Sequence, residues 1–165
     1  MTTVLKVSED KHTAPYGQTE RARIAEALTT VLADSYALMA KTQGVHWNVR
    51  SPLFRRLHDL TEAHYKDLFG AVDEIAERIR ALGHVAPDSL DELITKSEIS
   101  ADGEDHSAER LVATLIAGHE TTLYRVYAAI DVAEHQKDPA SADLLVERVR
   151  FHEQALWMLR SLIDA

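Results

Sequence analysis

The sequence predicts an all-α domain built as a bundle of four long helices, and three observations lead there. Prolines stand only at positions 15, 52, 87 and 139, which leaves long stretches free of helix breakers. Within those stretches apolar residues recur at three- and four-residue steps, the period of an amphipathic helix. Few segments alternate with period two, so no sheet is expected.

The elements follow in order. From about Glu20 to Val49 the residues Ile24, Leu28, Val31, Leu32, Ser35, Leu38 and Met39 mark the apolar face of a first helix. Ser51-Pro52 reads as an N-cap followed by proline at the first helical position. The second helix then carries Leu53, Leu57, Leu60, Leu68, Val72, Ile75, Ile79 and Leu82, with Gly83 suited to its C-terminal cap. From His84 to about Asp105 the pattern weakens, apart from Ser89-Leu-Asp-Glu-Leu-Ile, which predicts a short helix. A third long helix spans about Ser107 to His135 through Leu111, Leu115, Leu123, Val126 and Ile130. Asp138-Pro139 repeats the cap-then-proline signal and opens a fourth, ending near Leu162. Helices of about 25–30 residues are roughly 40 Å long. Two tight connections flanking a long one suit a bundle with a single crossover. The expectation is a ferritin-like four-helix bundle over residues 20–165, with a short extra helix in the connection between the second and third long helices. Residues 1–19 are expected to be a flexible tail.

Composition narrows the function classes. A chain of 165 residues suits one domain, and a hydrophobic share of 45% is enough to build its core. Cysteine is absent, which excludes disulfides and thiolate metal sites and fits a cytoplasmic protein. No secretory signal opens the sequence and no apolar run spans a bilayer, so no membrane association is expected. The net charge of -9 repels phosphate backbones and attracts cations.

Nine histidines supply candidate metal ligands. His46 lies near the end of the first helix, His58 and Glu62 share a face of the second, and Asp73 and Glu77 repeat that four-residue spacing. Imidazole and carboxylate together suit iron, manganese or zinc. A solvated pair or a surface ion pair is the ordinary explanation for either couple taken alone. His58 and Asp73 stand about 22 Å apart along one straight helix, so one chain cannot bring them to one metal. Two copies of the second helix, antiparallel across a two-fold axis, could. The Glu-x-x-His spacing of an intra-bundle di-iron site occurs only at Glu9/His12, outside the predicted bundle.

His46-Trp47-Asn48-Val49, His58-x-x-x-Glu62 and Asp73-Glu-x-x-Glu77-Arg-Ile, at intervals of 12, 4, 11 and 4 residues, resemble the signature of the Dps proteins, or mini-ferritins. The resemblance covers about Ala22 to Leu162. It implies a homo-oligomeric shell, a dodecamer, that oxidises ferrous iron at two-fold interfaces and stores ferric mineral inside. It further implies that His46, His58 and Glu62 come from one subunit and Asp73 and Glu77 from its partner. The family pattern has aspartate where Glu62 stands. Hydrogen peroxide is the family's general oxidant, with dioxygen second. Trp47 is implied either to intercept stray oxidising equivalents or to pack at an interface. Asp138, Asp143 and Glu147 resemble the carboxylates of an iron-entry pore. Asp59 is expected to face the cavity, Trp157 to lie in the core, and His64, His106, His119, His135 and His152 to hold surface or core places.

Two competing functions remain on the sequence. A DNA-condensing role is disfavoured, because the first twenty residues hold only Lys6 and Lys11 against Glu9, Asp10 and Glu20. A non-redox, zinc-binding shell would use the same ligands without electron transfer.

Overall fold

The computed structural model describes residues 16–100 and 107–163. Helix α1 covers Gln18–Asn48, α2 Phe54–Ala81, α3 Leu90–Lys96, α4 Ala108–His135 and α5 Pro139–Arg160, and the described residues include no strand. This is the expected four-helix bundle with a short extra helix in its long connection. The expected tail lies almost wholly outside the described residues.

Local chemistry sets the ends. Gly83, at φ 85°, closes α2: its N–H bonds to Arg80 O at 2.9 Å and the His84 N–H reaches Ile79 O at 3.2 Å, a Schellman cap. Helix α4 ends with the same two bonds, from Lys137 to Glu134 O and Asp138 to Ala133 O, both 2.9 Å, but Lys137 adopts φ 60° without being glycine. Ser89, Ser107 and Asp138 cap α3, α4 and α5 with their side chains. Ser51-Pro52 does not open α2 as expected. Ser51 Oγ accepts from Leu53 N at 3.0 Å and Ser51 O from Phe54 N at 2.9 Å, so the pair forms a turn and the helix starts two residues after the proline.

Short connections make α1–α2 and α4–α5 antiparallel hairpins. The core has two apolar clusters. One joins Ile24, Leu28 and Leu32 to Ile75, Ile79, Val126 and Leu145; the other joins Leu38 and Met39 to Leu57, Leu68, Leu115 and Leu159. The early part of α1 therefore faces the late part of α4, and the crossover runs the length of the bundle. Asp34, fully buried on α1, fastens that crossover. It accepts from Ser97 Oγ at 2.8 Å and Glu98 N at 2.7 Å and pairs with Arg125 at 3.2 Å.

Candidate metal centre

The turn between α1 and α2 brings His46 and His58 face to face, with ring centroids 3.7 Å apart and planes 18° from parallel. Their backbone bonds are reciprocal. His46 Nδ1 lies 2.9 Å from the His58 carbonyl, and His58 Nδ1 lies 3.1 Å from the His46 carbonyl. A carbonyl only accepts, so each neutral ring carries its proton on Nδ1 and keeps the Nε2 lone pair free for a cation. Thr61 Oγ1, 3.3 Å from His46 Nδ1, adds a second acceptor, while Phe54 and Tyr65 flank the rings. Glu62 sits one turn beyond His58 and forms an ion pair with Lys66, whose ammonium holds the Glu62 carboxyl below the usual carboxylate range.

Asp73 and Glu77 lie further along α2, both exposed. His58, Glu62, Lys66, Phe69, Asp73 and Glu77 follow one another at steps of three and four, so one outward stripe carries all six. Phe69 is 69% exposed on it, and Trp47, beside His46, is 70% exposed. Within one chain, among the described residues, no three His, Asp or Glu side chains close on a common metal position.

Asp143 and Glu147 stand one turn apart on the exposed side of α5, and Asp143 borders a depression shared with Glu134, Lys137 and Pro139. Asp138 differs from its expected pore role. It is 1% exposed, and its carboxylate takes two bonds from Arg78 Nη2, at 2.7 and 2.8 Å, and one from Ser141 Oγ at 2.5 Å. Those contacts hold its carboxyl below the usual range against the opposing effect of burial, and they commit both of its oxygens to Arg78 and Ser141. Asp59 is ion-paired with Arg55 at 2.8 Å. Trp157, expected in the core, is 65% exposed in a groove with Tyr124, Tyr127 and Leu156.

A second histidine group was not anticipated. His64, His119 and His152 meet inside the bundle, with His119 and His152 Nδ1 atoms 2.9 Å apart and His64 edge-on to His119 at 5.5 Å. His64 Nδ1, His119 Nε2 and His152 Nε2 are buried without partners among the described residues. Burial lowers the His64 pKa to about 4 and that of His152 to about 3, and it holds His119 well below its ordinary value. The trio is therefore neutral at pH 7. A signal for it was present: each histidine takes a buried-stripe position, as in Leu57-Thr61-His64-Leu68 and Leu111-Leu115-His119-Thr122.

A ferritin-like domain profile matches residues 25–165. An uncharacterized low temperature-induced protein of Nostoc sp. is 38% identical over 149 residues, covering 88% of this chain and 82% of that protein. DNA protection during starvation protein 2 of Bacillus anthracis is 30% identical over 142 residues, covering 86% of this chain and 97% of that protein. The crystal structure of a Dps protein from Vibrio cholerae O1, described as a member of a broad superfamily of ferritin-like diiron-carboxylate proteins, superposes with a TM-score of 0.87 at 25% identity, covering 94% of this chain and 99% of that one. On this agreement of profile, relatives and fold, the chain belongs to the Dps family of ferritin-like proteins.

Proposed function

We propose that this chain is the subunit of a shell that oxidises ferrous iron between two copies and stores the ferric product. The observation that carries the reading is the reciprocal lock on His46 and His58, which frees both Nε2 atoms beside Glu62. Asp73 and Glu77 stand exposed on the same stripe, too far along α2 to join them within one chain. An antiparallel second copy of α2 sets His58 opposite Glu77 and Glu62 opposite Asp73, completing two equivalent sites. Exposed Phe69 at the centre of that stripe supplies apolar area for the contact.

Carboxylates of one copy and imidazoles of the other hold two ferrous ions, hard oxygen and borderline nitrogen donors both suiting iron. Each ion gives one electron to hydrogen peroxide. The O–O bond breaks, two protons are taken up, and two waters leave with two ferric ions formed. Pairing the donors avoids a one-electron step that would release a hydroxyl radical. In this reading Trp47, exposed beside His46, intercepts an oxidising equivalent that escapes. Asp143 and Glu147 supply a carboxylate path for ferrous iron where copies meet. The family's twelve-subunit shell is the proposed assembly, and direct DNA binding is not part of this function.

An anaerobic ferrous titration followed by separate peroxide and dioxygen pulses tests it. Rapid ferric absorbance with peroxide is expected. It should be lost in Asp73→Ala/Glu77→Ala and in His46→Ala/His58→Ala shells that remain assembled by light scattering. Oxidation at parent rates in either variant overturns the site. Intact parent shells that bind metal without oxidising iron point to the non-redox reading.

A further inference from the structure

We propose that Lys66 is the resident counter-ion of the empty iron site, and that the second ferrous ion must displace it from Glu62. The inference rests on the two-copy reading and concerns how that site is regulated.

Lys66 Nζ is ion-paired with Glu62 Oε1, one turn back along α2. Side chains on a helix lean toward its N-terminus, so the Lys66 head lies at the level of Glu62 and only its stem at the level of its own Cα. The register that sets His58 opposite Glu77 and Glu62 opposite Asp73 also sets Lys66 opposite Phe69 of the second copy. The lysine stem then lies against an aromatic ring, while the ammonium reaches the level where Glu62 and the second copy's Asp73 face each other.

Two carboxylates brought together in a subunit contact repel, and an ammonium between them relieves that repulsion when no metal is present. A ferrous ion arriving there meets a carboxylate already neutralised. Its affinity is reduced by whatever the Lys66 pair contributes. Two features of this chain are needed. Glu62 is one methylene longer than aspartate, and the glutamate-then-lysine order four residues apart is the favourable one on a helix. The histidine side of the site has no such competitor: His46 and His58 spend only Nδ1 on the protein. Occupation should therefore be ordered, with the lysine-guarded position filling second.

Anaerobic calorimetry of the assembled shell with ferrous iron tests this in the parent, Lys66→Met, Lys66→Arg and Asp73→Ala/Glu77→Ala. Lys66→Met keeps the stem without the charge, and its exposed position spares the fold. The weaker ferrous step should tighten roughly two- to five-fold in Lys66→Met, the range for an ion pair between exposed and partly buried. It should stay near the parent in Lys66→Arg. The metal-free Lys66→Met shell should also melt below the metal-free parent, and redox-stable cobalt(II) should close that gap. A weaker step that is unchanged or weakened in Lys66→Met overturns the proposal, as does a melting gap that cobalt leaves open. Failure of the underlying site appears in a different variant, as ferrous binding by the parent no greater than by Asp73→Ala/Glu77→Ala.

Discussion

Surroundings give the histidines of this chain two opposite behaviours. His46 and His58 anchor Nδ1 on carbonyls, whereas His64, His119 and His152 are sealed among α2, α4 and α5. The folded-state pKa values of the sealed trio lie below the unfolded value near 6.5, with His64 at about 4 and His152 at about 3. Between those limits the unfolded chain binds more protons than the folded one. Stability is therefore complete above about pH 6.5 and falls as pH drops toward 4, by at most about 1.4 kcal/mol per pH unit for each histidine. Guanidinium unfolding at pH 7, 6 and 5 should show the midpoint falling with pH. His152→Leu, which fills similar space without a titrating group, should remove roughly a third of that slope. A slope unchanged by the substitution would mean that the trio is not the source of acid sensitivity.

At the scale of elements, the α4–α5 junction concentrates more structure than its three residues suggest. Asp138 caps α5 through Ser141 N at 3.3 Å and binds Arg78, which also donates to Tyr16 Oη at 3.2 Å and Ser141 Oγ at 2.9 Å. One carboxylate thereby joins the N-terminal end of α1, the end of α2 and the start of α5. Asp138→Ala should cost about 2–4 kcal/mol, since it removes a cap and leaves a half-buried guanidinium unpaired. Asp138→Asn, which keeps the cap, should cost less; thermal melting distinguishes the two. Equal losses would show that the cap contributes little and that the ion pair carries the cost. The sequence made the cap legible through Asp138-Pro139 but not the arginine 60 residues away, so the same aspartate also read as a pore ligand. Helix spans were legible because apolar period and Gly83 are local signals. The start of α2 was misplaced because Ser51-Pro52 fits a turn as well as a cap. Trp157 was misplaced because periodicity gives a helix its face, not which flank of that face a neighbour covers. The histidine trio needed the mutual rotation of three helices, which no single-helix pattern contains.

At the scale of the whole molecule, the proposed site draws half of its ligands from each of two copies, and that proposal can be tested without a structure of the assembly. A shell made only of Asp73→Ala/Glu77→Ala chains has intact histidines and no acids at every site; one made only of His46→Ala/His58→Ala chains has the reverse. Both should be inactive. Co-assembled in equal amounts, half of the two-fold pairs are mixed. In each mixed pair, one site draws intact histidines from the first variant and intact acids from the second, while the other site has neither. About a quarter of all sites should therefore recover, and peroxide-driven ferric formation should return to roughly a quarter of the parent amplitude per shell. Sites contained within one chain cannot recover this way, whatever the mixing ratio. Recovery that follows the product of the two variant fractions, greatest at equal mixing, is the signature of the two-copy site. Co-assembled shells verified by mass and still inactive would overturn the two-copy site.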